Sequence, residues 1–286
     1  MTAPQFHKFA RRLLWFYLPT LMFLIFVLLP FYWMLITALK QDRNIFDPNA
    51  NPFWFNMAPT LEHFWYLIDP NKTDFYIWVQ NSFTVAGLVT FISVTIGILA
   101  GYSLARLRYK GAETIGSSVF ITYLVPPSLL FLPLSQVISQ LGLMETRWAM
   151  VVSYPTFLVP FCTWLLMGYF RTIPKEIEEC ALVDGCTRLK ALRKIVLPVA
   201  IPGIITAALF SFTLSWGEYL YSITFVTDSW EKTIPSAVVG ELIRGDVYYW
   251  GELMAGALLG SVPIAMIYVV FLDYYVSGLT AGATKG

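Results

Sequence analysis

Six stretches of this chain are long and apolar enough to cross a lipid bilayer, and nothing else in the sequence restricts the fold as much. A helix needs about 20 mainly apolar residues to span the hydrocarbon core. The stretches are residues 14–39, 83–105, 117–141, 149–170, 201–226 and 253–276. Each is continuously apolar rather than alternating, so helices fit better than the strands of a barrel. The composition agrees: only 13% of the residues are charged, about half the share in a soluble domain. The expected fold is an all-α membrane protein with six transmembrane helices.

The N-terminus resembles a signal peptide at first, because Lys8, Arg11 and Arg12 precede the first apolar run. That run carries no charge from Leu13 to Leu39. It is far longer than a signal's apolar core of about 7–15 residues, and no A-x-A-like cleavage site follows. It reads as a retained first helix.

Orientation follows from Lys and Arg. With the N-terminus inside, 13 of the 19 cations fall on the inner side, concentrated in short loops. The positive-inside rule then puts both termini in the cytoplasm. Two longer segments lie outside. Residues 40–82 carry Phe53, Trp54, Phe55, Phe64, Trp65 and Tyr66, and residues 227–252 carry Trp230, Tyr248, Tyr249 and Trp250. These aromatics suit either a belt at the headgroups or a platform for an extracytoplasmic partner. No internal repeat or soluble domain boundary is visible, so residues 1–286 read as one transmembrane domain.

Several kinds of chemistry are missing. There is no Gly-Lys dipeptide and hence no phosphate-binding P-loop. No HExxH, GxSxG or metal-spaced cluster occurs. His7 and His63 are far apart in sequence; none of Cys162, Cys180 and Cys186 falls in a segment placed outside, so no disulfide is expected, and their spacing is not that of a metal site. The spans hold only two ionisable residues, Glu218 and Asp273, both nearer a membrane face than the midplane. An ion-coupled carrier usually needs an intramembrane relay. The chain therefore has no evident energy source of its own, no catalytic residues, and no reason to bind nucleic acid.

The segment from Arg171 to Pro198 carries the most information. Pro174 suits a first helical turn. Glu176, Glu178 and Glu179 follow where a helix dipole favours negative charge. Gly185 is placed to end the helix as a C′ glycine. A short helix over residues 175–184 follows from this. Thr187 can cap a second helix containing Arg188, Lys190, Arg193 and Lys194. Ile177, Cys180, Ala181 and Asp184 share one face at i, i+3, i+4 and i+7. That face is small and shallow, as a knob entering a partner's groove would be. A solvated surface loop is the alternative.

The residues also carry a resemblance. Glu179-Cys180-Ala181, three residues, Gly185, nine residues, then Ile195-x-Leu197-Pro198 resembles the EAA loop of ABC importer permeases. Every spacing matches, with Cys180 in place of the usual alanine. Ile173-Pro174 and Asp184-Gly185 look like the carbohydrate-transporting (maltose/trehalose-type) branch. Trp216-Gly217-Glu218-Tyr219 is similar to that branch's W-N-E-[FY] segment, with Gly217 replacing Asn. The ending Gly278 to Gly286 resembles GLTAGAVKG, with Thr284 replacing Val.

The resemblance implies a type I importer permease in a bacterial-type inner membrane. Its partners would be a second permease, two cytoplasmic ATPases that hold ATP and Mg²⁺, and an extracytoplasmic solute-binding protein. It implies that the 171–198 loop docks an ATPase through Ile177, Glu179, Cys180, Ala181, Asp184, Gly185, Ile195, Leu197 and Pro198. It also implies that the 277–286 tail reaches the ATPases. Trp216, Glu218 and Tyr219 remain candidates for the solute path or a partner contact, and Glu218 is read first as a structural pair with a neighbouring helix or the second permease. The solute could be a sugar, a polyol, a glycerol phosphate or a polyamine. A channel or carrier independent of any ATPase is the alternative outside this class.

Overall fold

A computed structural model describes residues 12–276, apart from Arg108 and Tyr275. The 277–286 tail, His7, Lys8 and Arg11 lie outside the described residues. The chain divides into two compact units, one formed by residues 1–73 and 242–259, the other by residues 74–241 and 260–286.

Among the described residues, four helices are long and apolar enough to cross a membrane outright: α1 (Leu13–Leu39), α3 (Phe75–Arg106), α6 (Trp148–Thr172) and α12 (Trp250–Val270). Helix α2 (Glu62–Ile68) precedes α3. The remaining two apolar runs are bent. In the first, α4 (Ala112–Tyr123) meets α5 (Pro127–Gln140) at 93°. In the second, α8 (Arg188–Val199) meets α9 (Ile201–Trp216) at 78°. Among the described residues the six expected spans stand as four single helices, or six if each bent pair is one span.

Prolines interrupt the hydrogen-bond ladder at both bends. Pro126 and Pro127 remove two successive amide donors, and a residue preceding proline is steered away from helical geometry. Pro126 is accordingly extended, at φ −59° and ψ 126°. Pro202 lacks the N–H that would bond to Pro198, and its ring crowds that carbonyl. Two other boundaries differ from the sequence reading. Helix α3 begins eight residues before the apolar run, at Phe75, with polar Gln80 and Asn81 inside it. The fifth run ends at Trp216 rather than 226, and α10 (Leu220–Phe225) follows as a separate helix. The fold is also not purely helical. After α11 (Ile234–Leu242), β1 (Ile243–Arg244) pairs antiparallel with β2 (Val247–Tyr248). Gly245 makes the turn between them at φ +62°.

In the larger unit α3 lies directly on α6. A Cβ at Gly97 would stand 2.7 Å from Cys162 Cβ, and one at Gly101 would stand 2.9 Å from the Met167 amide nitrogen. The two glycines, four apart, therefore let the backbones touch, as small-xxx-small pairs do between membrane helices. Two apolar clusters fill this unit. One gathers Val85, Val89, Met150, Tyr154, Tyr221 and Phe225. The other gathers Tyr102, Leu166, Phe170, Ile173, Leu192 and Val196, and lies beneath the 171–198 loop.

A polar network ties the 227–232 segment to α3 and to the start of α6. Arg147 grips Glu231 with two nitrogens, Nε at 2.9 Å and Nη2 at 3.0 Å, and its Nη1 donates to Asn81 Oδ1 at 2.7 Å. Asn81 donates in turn to the Trp230 and Lys232 carbonyls, at 2.8 and 3.0 Å.

Candidate functional site

The 171–198 loop is built by local rules. Helix α6 stops at Thr172, and Ile173 turns extended ahead of Pro174, which takes the N-cap position. Helix α7 then runs Lys175–Val183, one residue shorter than its sequence suggests, with Asp184 as its C-cap. Gly185 adopts φ +82°, a left-handed value that side chains resist. Its N–H bonds to Leu182 O at 3.1 Å, and Cys186 N–H bonds to Ala181 O at 2.9 Å. This pair of bonds is the Schellman closure that a C′ glycine permits. Thr187 Oγ1 then accepts the Lys190 N–H at 3.3 Å and starts α8. Residues 192–196 within α8 form one π turn.

Helix α7 is anchored on one face. Glu178 is buried at 6% exposure. The Tyr102 hydroxyl donates to its Oε1 across 2.5 Å, and Arg106 Nε lies 3.8 Å from its Oε2. Arg106 also donates through Nη2 to the Ile173 carbonyl at 2.6 Å, fixing the chain just before α7. A cavity of about 260 Å³ lies beside this cluster, lined by Arg106, Lys175, Glu178, Glu179, Leu182 and Arg188. A buried ion pair of this kind is retained at a desolvation cost, so its yield is position rather than stability.

The other face of α7 is open. Ile177, Glu179, Cys180, Asp184 and Gly185 are exposed. Ala181 is not; it turns inward at 7% exposure, beside Glu178. Beyond the turn, Ile195 and Leu197 are half-buried and Pro198 is exposed. Two apolar residues outside the motif are more exposed than Ile177 at 42%: Val183 at 87% and Leu189 at 70%. With Ile177 they present apolar surface around a tight turn, which is what a docking knob requires. Sequence reasoning missed Val183 and Leu189, which lie off the small-residue face. It also missed the anchor, since Arg106 was weighed only as a topological charge and Glu178 only as one of three acids.

The second group of candidates lies elsewhere, at the far end of α9, a helix of 16 residues or about 24 Å. Trp216 is packed inward at 3% exposure, and its Nε1 donates to the Gly260 carbonyl at 3.0 Å. Glu218 follows the break at Gly217 and closes the start of α10. Its carboxylate accepts the Tyr221 N–H at 3.1 Å, the Ser222 N–H at 3.3 Å and the Tyr154 hydroxyl at 2.8 Å. Tyr219 is the exposed member, at 38%. An apolar cavity of about 480 Å³ adjoins Glu218, lined by Tyr123, Pro126, Pro127, Phe157 and Phe161 among others.

Residues 93–280 match the family described as "Binding-protein-dependent transport system inner membrane component". The chain belongs to this family. It is a multi-pass membrane protein of the ABC importer permease kind. Relatives of these permeases match nearly end to end. The "Inner membrane ABC transporter permease protein YcjP" of Escherichia coli K12 is 34% identical, covering 95% of this chain and 96% of that protein. The "Trehalose/maltose transport system permease protein MalG" of Thermococcus litoralis is 31% identical, covering 92% and 93%. Among solved structures, a chain of a bacterial ABC transporter that imports the acidic polysaccharide alginate superposes with a TM-score of 0.74. It covers 93% of this chain and 98% of that one at 17% identity, which establishes a shared type I permease-like fold.

Proposed function

We propose that this chain is one of two permease subunits of an ATP-driven importer for a sugar or oligosaccharide, and that helix α7 is its docking point for an ATPase. The observation that carries the docking is α7 itself, held from beneath by Tyr102 and Arg106 while Ile177, Cys180 and Val183 face outward. The solute class rests on relatives named for trehalose, maltose, diacetylchitobiose and maltodextrin transport.

In this reading both termini and the 171–198 loop lie in the cytoplasm. Two ATPase subunits bind and hydrolyse ATP with Mg²⁺, and this chain catalyses nothing. Glu179, Cys180, Asp184 and Gly185 meet the ATPase groove. Ala181, Ile195, Leu197 and Pro198 shape the knob from within and from its C-terminal side. The 277–286 tail extends toward the ATPases. A second, non-identical permease completes the path, and a solute-binding protein delivers solute to the outer side. Closure of the ATPases moves α7, which is linked through Ile173 and Pro174 to α6, and so switches the path between its two openings. Tyr219 is the residue of the Trp216–Tyr219 segment free to meet solute or the second permease.

The test is reconstitution of the chain with its cognate permease, ATPase and binding protein in proteoliposomes. Uptake of a sugar that needs both ATP and the binding protein is the expected result. Uptake by this chain in the absence of the ATPase would overturn the proposal.

A further inference from the structure

In the unit formed by residues 1–73 and 242–259, one imidazole and two carboxylates converge. His63, on α2, is 2% exposed. Its ring lies against Gly251, where any Cβ would overlap it. Its Nε2 stands 2.8 Å from the Lys40 carbonyl oxygen, and its Nδ1 stands 3.1 Å from Glu252 Oε1. Asp42 Oδ1 lies 3.9 Å from Nε2. One donor atom from each of Asp42, His63 and Glu252 falls within 4.8 Å of the other two. The Glu252 side chain is only 9% exposed, yet its second oxygen, Oε2, is buried without a hydrogen-bond partner.

The Lys40 carbonyl can only accept, so Nε2 carries a proton when that bond forms. The lone pair of a neutral ring is then on Nδ1, facing a carboxylate. Two such acceptors tolerate a 3.1 Å separation only with something positive between them. A proton on Nδ1 answers Oε1 and leaves Oε2 unmet. A metal cation answers the carboxylate as a whole. Metal-to-ligand distances of about 2.0–2.2 Å for imidazole and carboxylate put neighbouring ligand atoms about 3.3–3.6 Å apart at the tetrahedral angle, so Nδ1 and Oε1 part by only a few tenths of an ångström to admit the ion. A metal-bound histidine commonly donates its other N–H to a backbone carbonyl, which fixes the ring. Here Lys40 supplies that carbonyl.

The charge balances as well. Two carboxylates and a neutral imidazole match a divalent cation. Asp42, with its side chain 64% exposed, leaves one side open to solvent and to further water ligands. One nitrogen and two carboxylates suit zinc-class ions better than magnesium, which favours oxygen and water.

We propose that His63, Glu252 and Asp42 form a binding site for a divalent transition-metal cation of the zinc class. The cation takes the position of the Nδ1 proton, which leaves to solvent, and Asp42, whose recorded approach is to Nε2, rotates its exposed side chain to reach it. It joins the segment following α1 to the first turn of α12. In the topology proposed above, the site is on the extracytoplasmic side.

The experiment uses the full chain, purified in detergent and stripped with a chelator. Zn²⁺, Co²⁺ and Mg²⁺ are added separately, and retained metal and Tm are measured. The expected result is one retained equivalent of zinc, a raised Tm, and no response to Mg²⁺. Cobalt should give d–d absorption without a thiolate-to-metal band. His63→Gln should abolish binding, Asp42→Asn should weaken it by about tenfold or more, and His7→Gln should leave it intact. Asp42 is exposed, so its variant tests the site even if His63→Gln fails to fold. The proposal is overturned if the unmodified chain retains no zinc, if binding survives Asp42→Asn at full strength, or if cobalt shows a thiolate band.

Discussion

The Tyr102 hydroxyl lies 2.5 Å from Glu178 Oε1, joining residues 76 positions apart in sequence. One belongs to the membrane helix α3, the other to the short helix α7 at the head of the exposed loop. Through this bond, and through Arg106 beneath it, the position of α7 is set by the membrane-embedded helices rather than by its own nine residues.

Breaking this bond should loosen α7 without removing it. Tyr102→Phe leaves a buried carboxylate oxygen short of a donor, at a cost of about 1–3 kcal/mol. Glu178→Ala should cost more, about 3–5 kcal/mol, because it leaves the Arg106 charge buried and unpaired. Thermal unfolding of both variants should show that order. Hydrogen exchange should rise in residues 175–183 before it rises in α3.

Gly185 tests the turn. Gly185→Ala should cost about 1–2 kcal/mol, the penalty for placing a Cβ in left-handed geometry. Gly185→Asn should cost less, since Asn tolerates that geometry. ATPase co-purification should follow the order Gly, Asn, Ala. Gly185→Asp should combine strain with a misplaced charge and retain least.

Val183→Asp separates docking from folding. The side chain is 87% exposed, so the substitution should shift Tm little. It should nevertheless abolish ATPase retention, because a charge would sit in the apolar centre of the contact. Normal co-purification would refute docking at this surface.

Glu218→Gln should leave uptake unchanged in an assembled complex. Glutamine keeps one carbonyl oxygen for the α10 amides but weakens the closure by about 1 kcal/mol. A variant that assembles normally yet fails to transport would return Glu218 to the solute path.

Acid should release the 227–232 segment. Burial pushes the Glu231 carboxyl up, but hydrogen bonds and charge from Arg147 outweigh it and hold the group below its ordinary value of 4.5. Its stabilising contribution is therefore complete above that ordinary value and is lost as pH falls through the lower folded value. The difference in Tm between the unmodified chain and Glu231→Gln should be constant from pH 7 to about pH 5 and shrink below pH 4. A difference that grew on acidification would contradict the pairing.

Much of the helical plan was legible because a bilayer imposes length and apolarity on every span. The turn at Gly185 was legible because few residues tolerate its geometry, and Thr187 because caps are local. The bends were not: the Pro126-Pro127 pair was visible, but a 93° turn depends on what the two halves pack against. The orientation of α7 was harder still. Periodicity groups Ile177, Cys180, Ala181 and Asp184, yet burial depends on where Tyr102 and Arg106 arrive from another helix. Glu178 thereby faces inward and carries Ala181 with it. His63 and Glu252, 189 positions apart in the chain, were likewise invisible as neighbours.

The contact at Gly97 and Gly101 has a mechanical meaning. With no side chain on the α3 side of this contact, and only the Cys162 Cβ and backbone opposite, there is little soft there to compress. A push on α7 enters α6 through Thr172 and α3 through Tyr102, so a load applied at the exposed turn is shared by two struts clamped together. Such a beam is stiff and tilts as one piece. Its compliance is displaced to the proline breaks at residues 124–127 and 198–202, where the hydrogen-bond ladder is already interrupted.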